Sequence, residues 1–337
     1  MNKKRYYFVF VLSAVLMFTA CTLDEDIFVM RANAGLGLVV TKAGDWNKAI
    51  QIIKDNDVPP IITVKGDMPL PGNSIIFKNI TVTINGKGRL YLTSGGTIFT
   101  ISERSTVTID SADLIFEGLT LSQNGFSNNA FPLISVDGGT LKLQNGTIRN
   151  NTCMPNGGSG SGGGVYVDGT FIMTGGTISG NTAKYGGGVY ISSGRFTMSG
   201  GTISGNTADG GSGGGVYNYG SFTMSGGTIR SNKADSELGG GVLSNGTFTM
   251  TGGTISGNTA WLGGGVYTYT GTYGANFTKA GGGIIYGNDA PTQTDRNIAA
   301  SGGHAVYWYS SSEKVRNTTL GESDNISTNN SSVGWGL

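Results

Sequence analysis

Between residues 165 and 290 the apolar positions recur in a fixed order, separated by glycine and small polar residues. "GGTISGNTA" occupies 175–183, 200–208 and 252–260, and "GGTIRSNKA" at 226–234 is a near copy. Three landmarks align from unit to unit. A valine follows each glycine run, at Val165, Val189, Val216, Val242 and Val266. Phe and Met stand two apart at Phe171/Met173, Phe196/Met198, Phe222/Met224 and Phe248/Met250. An isoleucine precedes an asparagine by three, from Ile148/Asn151 through Ile178/Asn181, Ile203/Asn206, Ile229/Asn232 and Ile255/Asn258 to Ile285/Asn288. Phe-x-Met is strand alternation, which puts both side chains on one face. Each unit thus offers three short extended pieces, around Val, Phe-x-Met and Ile, with Gly and Asn at the turns. None is long enough to bury its own apolar face. The pattern predicts a β-solenoid in which like stacks on like: Val on Val, Phe on Phe, Met on Met, Ile on Ile. Spacing inside a unit is then a register requirement, since a one-residue slip turns the core face to solvent. The asparagine column is read as structural, its amides stacking from coil to coil.

The pattern weakens at both ends. "LISVDGGTLKLQNGTIRNN" at 133–151 aligns with "VYVDGTFIMTGGTISGN" at 165–181, and alternation persists back to Ile80–Ile84. Before it, Trp46, Ala49, Ile50 and Ile53 fall on one helical face, with Asp45 as the expected N-cap. A short helix there would plug the first coil and hide its open edge. "GGHAVYW" at 302–308 echoes the glycine–valine landmark, and Leu320 and Ile326 are read as part of a last irregular coil. The expected divisions are a leader at 1–20, a tether at 21–43, a capping helix at 44–60, the solenoid at 61–320 and a tail at 321–337.

Composition narrows the function classes. The chain has 337 residues, of which 60 are Gly, 13% are charged, and the formal net charge is +1. Without clustered Lys and Arg, no nucleic-acid partner is expected. The single histidine, His304, gives no basis for His-based catalysis or a His-rich metal site. The start, "MNKKRYYFVFVLSAVLMFTAC", has a basic n-region and an apolar run too short to span a bilayer comfortably. Its end, Phe18-Thr19-Ala20-Cys21, resembles a bacterial lipobox. That resemblance implies a lipid thioether on Cys21, which would become the mature N-terminus, with the membrane as a partner. An ordinary secretory signal with an incidental Cys is the alternative. Cys153, the only other cysteine, is read as a structurally neutral thiol.

"GGGVY" and "FTMSGGTISGN", with their spacing over 133–290, resemble the repeats of bacterial right-handed parallel β-helix proteins, among them polymorphic outer-membrane proteins and pectate-lyase-like adhesins. Gly187-Gly188-Val189 approximates the GGA-type string of the polymorphic family; Ile178-Ser179-Gly180-Asn181 has Ile where that family has Phe. The resemblance implies an all-β, right-handed parallel β-helix at the outer membrane, cell surface or elsewhere in the envelope, with an adhesive or scaffolding role and no cofactor. Residues 298–337 lack the repeated amphipathic strands of a membrane barrel, so self-export is not expected.

Candidate chemistry is sparse. Polysaccharide lyases and hydrolases on such a fold need grouped carboxylates. The coils between 157 and 290 hold only Asp168, Asp209, Asp235, Glu237 and Asp289. Asp209 and Asp235 should be neighbours on adjacent coils, where with Glu237 they would make at most a weak cation site; a variable exposed turn is the preferred reading. Upstream, Glu103, Arg104, Asp110, Asp113 and Glu117 show no paired constellation. A polysaccharide enzyme and a pure spacer therefore stand as alternatives to a non-catalytic binder. Tyr166, Tyr190, Tyr217 and Tyr267 each follow an inward valine and should point outward as an aromatic stripe, with Leu243 in the remaining coil. The stripe is the candidate ligand-binding surface, for a host or matrix protein or a glycan. A ladder that merely covers the strand backbone is the structural alternative.

Overall fold

A computed structural model describes residues 20–24, 27–32, 35–55, 60–119, 129–154, 160–235, 237–270, 276–280, 282–287, 291–302 and 306–310. The leader before Ala20, His304, Asn288, Leu320, Ile326 and the tail lie outside them.

The chain is a parallel β-solenoid whose strands form three sheets of 18, 9 and 6 members among the described residues. One coil illustrates the rest. Val189–Ile191 belongs to the nine-stranded sheet, Arg195–Met198 and Thr202–Ser204 to the broad sheet, and Thr207–Ala208 to the six-stranded one. Every landmark pairs with its counterpart one coil on: Val165 with Val189, Phe171 with Phe196, Met173 with Met198, Ile178 with Ile203. The sequence pattern missed the fourth piece. Thr207–Ala208 is two residues long and contributes only alanine inward, so it carries no periodic apolar bulk. Ala208, Ala234 and Ala260 nevertheless stack into a buried cluster of their own.

Stacking makes the core continuous. The rings of Phe171, Phe196, Phe222 and Phe248 lie 4.6, 4.8 and 4.7 Å apart and within 6° of parallel. Phe277 continues the column at 5.0 Å. All five are buried. Each such contact adds roughly 0.5–1.5 kcal/mol beyond area burial. The methionine column, Met173, Met198, Met224 and Met250, runs in register to Lys279, which is itself buried. The glycines permit coils to approach. A Cβ on Gly188 would lie 2.6 Å from the Gly215 carbonyl oxygen of the next coil.

The asparagine column forms as expected but ends elsewhere. Asn181 Nδ2 donates to Asn206 Oδ1, Asn206 to Asn232, Asn232 to Asn258, and Asn258 to Asn297, at 2.9–3.1 Å. Asn297 thus takes the place expected for Asn288. Ile285 still pairs with Ile255, so the extra residues lie between the isoleucine and asparagine rungs. Asn129 adds a rung upstream, donating to Asn151 Oδ1 at 3.0 Å.

The N-terminal end differs from expectation in two ways. The stretch read as a tether carries strands β1 (Ala20–Asp24), β2 (Ile27–Ala32) and β3 (Gly35–Val40). β1 and β2, and β2 and β3, pair antiparallel; β3 then pairs parallel with β4 (Ile61–Lys65). Leu38 and Val40 alternate inward and are buried, which extends the core past residue 43. Helix α1 (Asp45–Lys54) buries Trp46, Ala49, Ile50 and Ile53. Trp46 closes the end of the core, edge-on to Phe99 at 5.4 Å, with its indole N–H 3.1 Å from Met68 Sδ. Asp45 is the first helical residue and Gly44 holds the N-cap position. The Asp45 carboxylate instead accepts the N–H groups of Thr41 and Lys42 at 2.8 and 3.0 Å, tying down the turn before the helix.

Candidate functional site

The tyrosines do lie on the outer face of the nine-stranded sheet. Tyr166 pairs with Tyr190 and Tyr190 with Tyr217; Leu243 interrupts, then Tyr267 and Tyr307 follow. Tyr166 and Tyr190 stack at 5.5 Å, Tyr190 and Tyr217 at 5.4 Å, Tyr267 and Tyr307 at 5.2 Å. They are not a uniformly open stripe, however. Tyr217 and Tyr267 are only 7% and 3% exposed. The residues that enter each glycine run fold over them: Tyr185, Leu238 and Leu262 pack against Tyr217, Leu243 and Tyr267 as a second apolar cluster outside the coil. Tyr166 and Tyr190 are half-buried, and Tyr219, beside them, is 46% exposed. Tyr219 was not singled out from the sequence, although it follows Tyr217 by two and so shares its face. The Tyr217 hydroxyl donates to that of Tyr219 at 3.1 Å and accepts from Asn245 Nδ2 at 3.2 Å. Burial pushes the Tyr190 phenol up to about 12, helped by Tyr219, Tyr166 and Tyr185. Tyr217 is pushed up further, by burial and then by its hydrogen bond to Tyr219.

Asp209 and Asp235 follow Ala208 and Ala234, which pair on adjacent coils, so the acids are neighbours as expected. Asp235 is engaged by Lys233 from its own strand, and Asp209 and Glu237 are exposed. No group of three or more His, Cys, Asp or Glu suited to a metal ion occurs among the described residues. Cys153 is buried beside Ala183, and desolvation pushes its thiol up to about 11.

One charged constellation was missed. Glu117 is buried at 7% exposure, and its carboxylate meets Arg89 Nη1 at 2.9 Å, Asn150 Nδ2 at 3.0 Å and Arg149 Nε at 3.3 Å. Arg89 also receives Asp67 at 3.5 Å and lies 4.6 Å from the Tyr91 ring centroid. Burial acts to raise the Glu117 carboxyl; the hydrogen bonds from Arg89 and Asn150 and the charges of Arg149 and Arg89 outweigh it and hold it below the usual range. Arg89, Arg149 and Asn150 lie 28, 32 and 33 positions from Glu117 in sequence and meet it only through parallel pairing, which sets Glu117 opposite Tyr91 on one side and Arg149 on the other. Aligning "LIFEG" with "GTIRN" would have found the Glu117–Arg149 step.

No protein-family model, curated protein or solved structure matches the chain.

Proposed function

We propose that this protein is an envelope lipoprotein, held to a membrane through Cys21, whose solenoid is a non-catalytic scaffold for binding a protein or glycan at the cell surface. The observation that carries the binding role is the aromatic face. Three neighbouring rings, Tyr166, Tyr190 and Tyr219, stand half-buried or exposed on a base of fully packed ones, Tyr217 among them. Rings fixed in this way lose little conformational freedom when a ligand stacks on them. The contact surface is therefore narrower than the whole stripe: Tyr217 and Tyr267 hold it in shape, while Tyr166, Tyr190 and Tyr219 meet the ligand.

The test is a glycan and matrix-protein array probed with the domain and with its Tyr166→Ser, Tyr190→Ser, Tyr219→Ser triple variant. Each ring is expected to contribute roughly 0.5–1.5 kcal/mol, so the variant loses about one to three decades of affinity with its fold intact. Retained binding would leave the face structural. New reducing or unsaturated sugar ends after incubation with acidic polysaccharide would favour an enzyme instead.

A further inference from the structure

A second surface feature lies on the broad sheet rather than on the nine-stranded sheet that carries the tyrosines. Over β4 and the strand Thr81–Leu92, which pair in register, an open depression of about 460 Å³ is lined by Lys65, Lys87 and Asp67 with Thr63 and Val64. Its floor is Gly66, Gly86 and Gly88. The glycines are required there. A Cβ on Gly86 would stand 2.1 Å from the Val64 carbonyl oxygen, and one on Gly88 2.0 Å from that of Gly66. Their φ angles of +109° and +137° exclude L side chains independently. The floor therefore stays bare and the lysines stand over a depression.

Lys65 pairs in register with Lys87, so two exposed ammonium side chains rise from adjacent strands. Like charges directly opposite one another are destabilising. Neither lysine is ion-paired to a described residue. The nearby acids are spent or set apart. Asp67 takes the backbone N–H of Arg89 at 3.0 Å and its guanidinium at 3.5 Å, and Glu117 is held by Arg89 and Arg149. Asp113, whose carbonyl accepts the Gly88 N–H at 3.1 Å, forms no ion pair with Lys87. A divalent oxyanion between the two ammonium groups would reverse the repulsion, because lysine binds phosphate as a point charge. The exposed Asp110 and Asp113 one coil on would repel an extended anionic bilayer and leave room for a ligand small enough to meet the two lysines alone.

We infer that this depression is an oxyanion site, in which Lys65 and Lys87 hold a phosphate group carried on a sugar-sized body. Titration calorimetry on the purified protein compares inorganic phosphate, glucose 6-phosphate, glucose and phosphatidylglycerol vesicles. Glucose 6-phosphate should bind saturably and more tightly than inorganic phosphate, with glucose silent. Lys65→Gln and Lys87→Gln should each weaken it at least tenfold. Equal affinity for the two phosphates would keep the oxyanion and overturn the sugar body. Thermal unfolding gives a readout independent of the ligand's identity. In phosphate-free buffer Lys87→Gln should raise the melting temperature by removing the repulsion, and phosphate should raise that of the wild type alone. Binding of vesicles only, binding indifferent to both lysines, or no saturable binding at millimolar concentration would overturn the inference.

Discussion

At the scale of single residues, most positions are decided by what lies one coil above and below. Glu117 shows how far this reaches. Its carboxylate is buried, yet hydrogen bonds from Arg89 and Asn150 and the charge of Arg149, from two neighbouring coils, keep it ionised. The folded-state value lies below the ordinary one of 4.5, so the network's stabilisation is complete above that value and is lost as pH falls through the depressed value. Glu117→Gln keeps the shape and removes the charge. Because Arg89 is partly exposed, the expected loss at pH 7 is modest, about 1 kcal/mol. The variant should also lose part of the acid limb of its stability profile below pH 4.5. Thermal melts across that range check it, and an unchanged acid limb would count against the network. Glycine obeys the same vertical logic. Gly227 has φ +81°, and a Cβ there would lie 2.9 Å from the backbone carbonyl carbon and oxygen of Gly200 in the preceding coil, as well as 2.6 Å from Met198 Cε. Gly227→Ala should therefore cost more than the 1 kcal/mol typical of a conformational penalty alone, and chemical denaturation measures it.

At the scale of elements, the coil is the unit of substitution. Deleting Gly200–Ser225 joins Ser199 to Gly226 and restores the repeat, with Phe196 brought beside Phe248 and Ile178 beside Ile229. The shortened protein should fold, with near-native circular dichroism and a single melting transition. Deleting Gly200–Met224 instead shifts every following landmark by one and should yield little soluble protein. The same periodicity explains what the sequence made legible. Val, Phe, Met and Ile recur, so their columns and register could be read in advance. Thr207–Ala208 could not, because a column of alanines leaves no contrast against glycine-rich turns. Leu38 and Val40 were passed over because their alternation is brief and is preceded by "RANAG". The asparagine column was misplaced at its end for a related reason. "YGN" at 286–288 repeats the local letters, whereas Asn297, which makes the bonds, stands in a context with no such echo. The aromatic stripe was legible in direction but not in exposure. Its cover comes from Tyr185, Leu238 and Leu262, at a position four before each valine that holds Ser161 and Ser212 in other coils.

For the whole molecule, the proposed anchor and the strands beside it bear on how the solenoid would stand. Cys21 belongs to β1, and only the β1–β3 antiparallel pairings separate it from the first parallel rung. A lipid on Cys21 would therefore hold the α1 end of the core nearer the membrane than the coils that carry the tyrosines. Cys21→Ser should release the protein from the membrane fraction or leave it uncleaved. Metabolic labelling with a fatty acid, followed by fractionation, decides the matter; an unlabelled wild type with an unchanged membrane fraction would dismiss the anchor. The buried Lys279, in turn, bears on growth. A column of identical rungs is a template on which further copies of the same sequence can be laid, the route by which repetitive strands become fibrils. In the methionine column each rung accepts another like itself until the fifth place, where the buried Lys279 breaks the series and a further methionine would meet a lysine rather than its own kind. The sequence is copied coil after coil, but this lysine is a full stop that opposes copying from molecule to molecule.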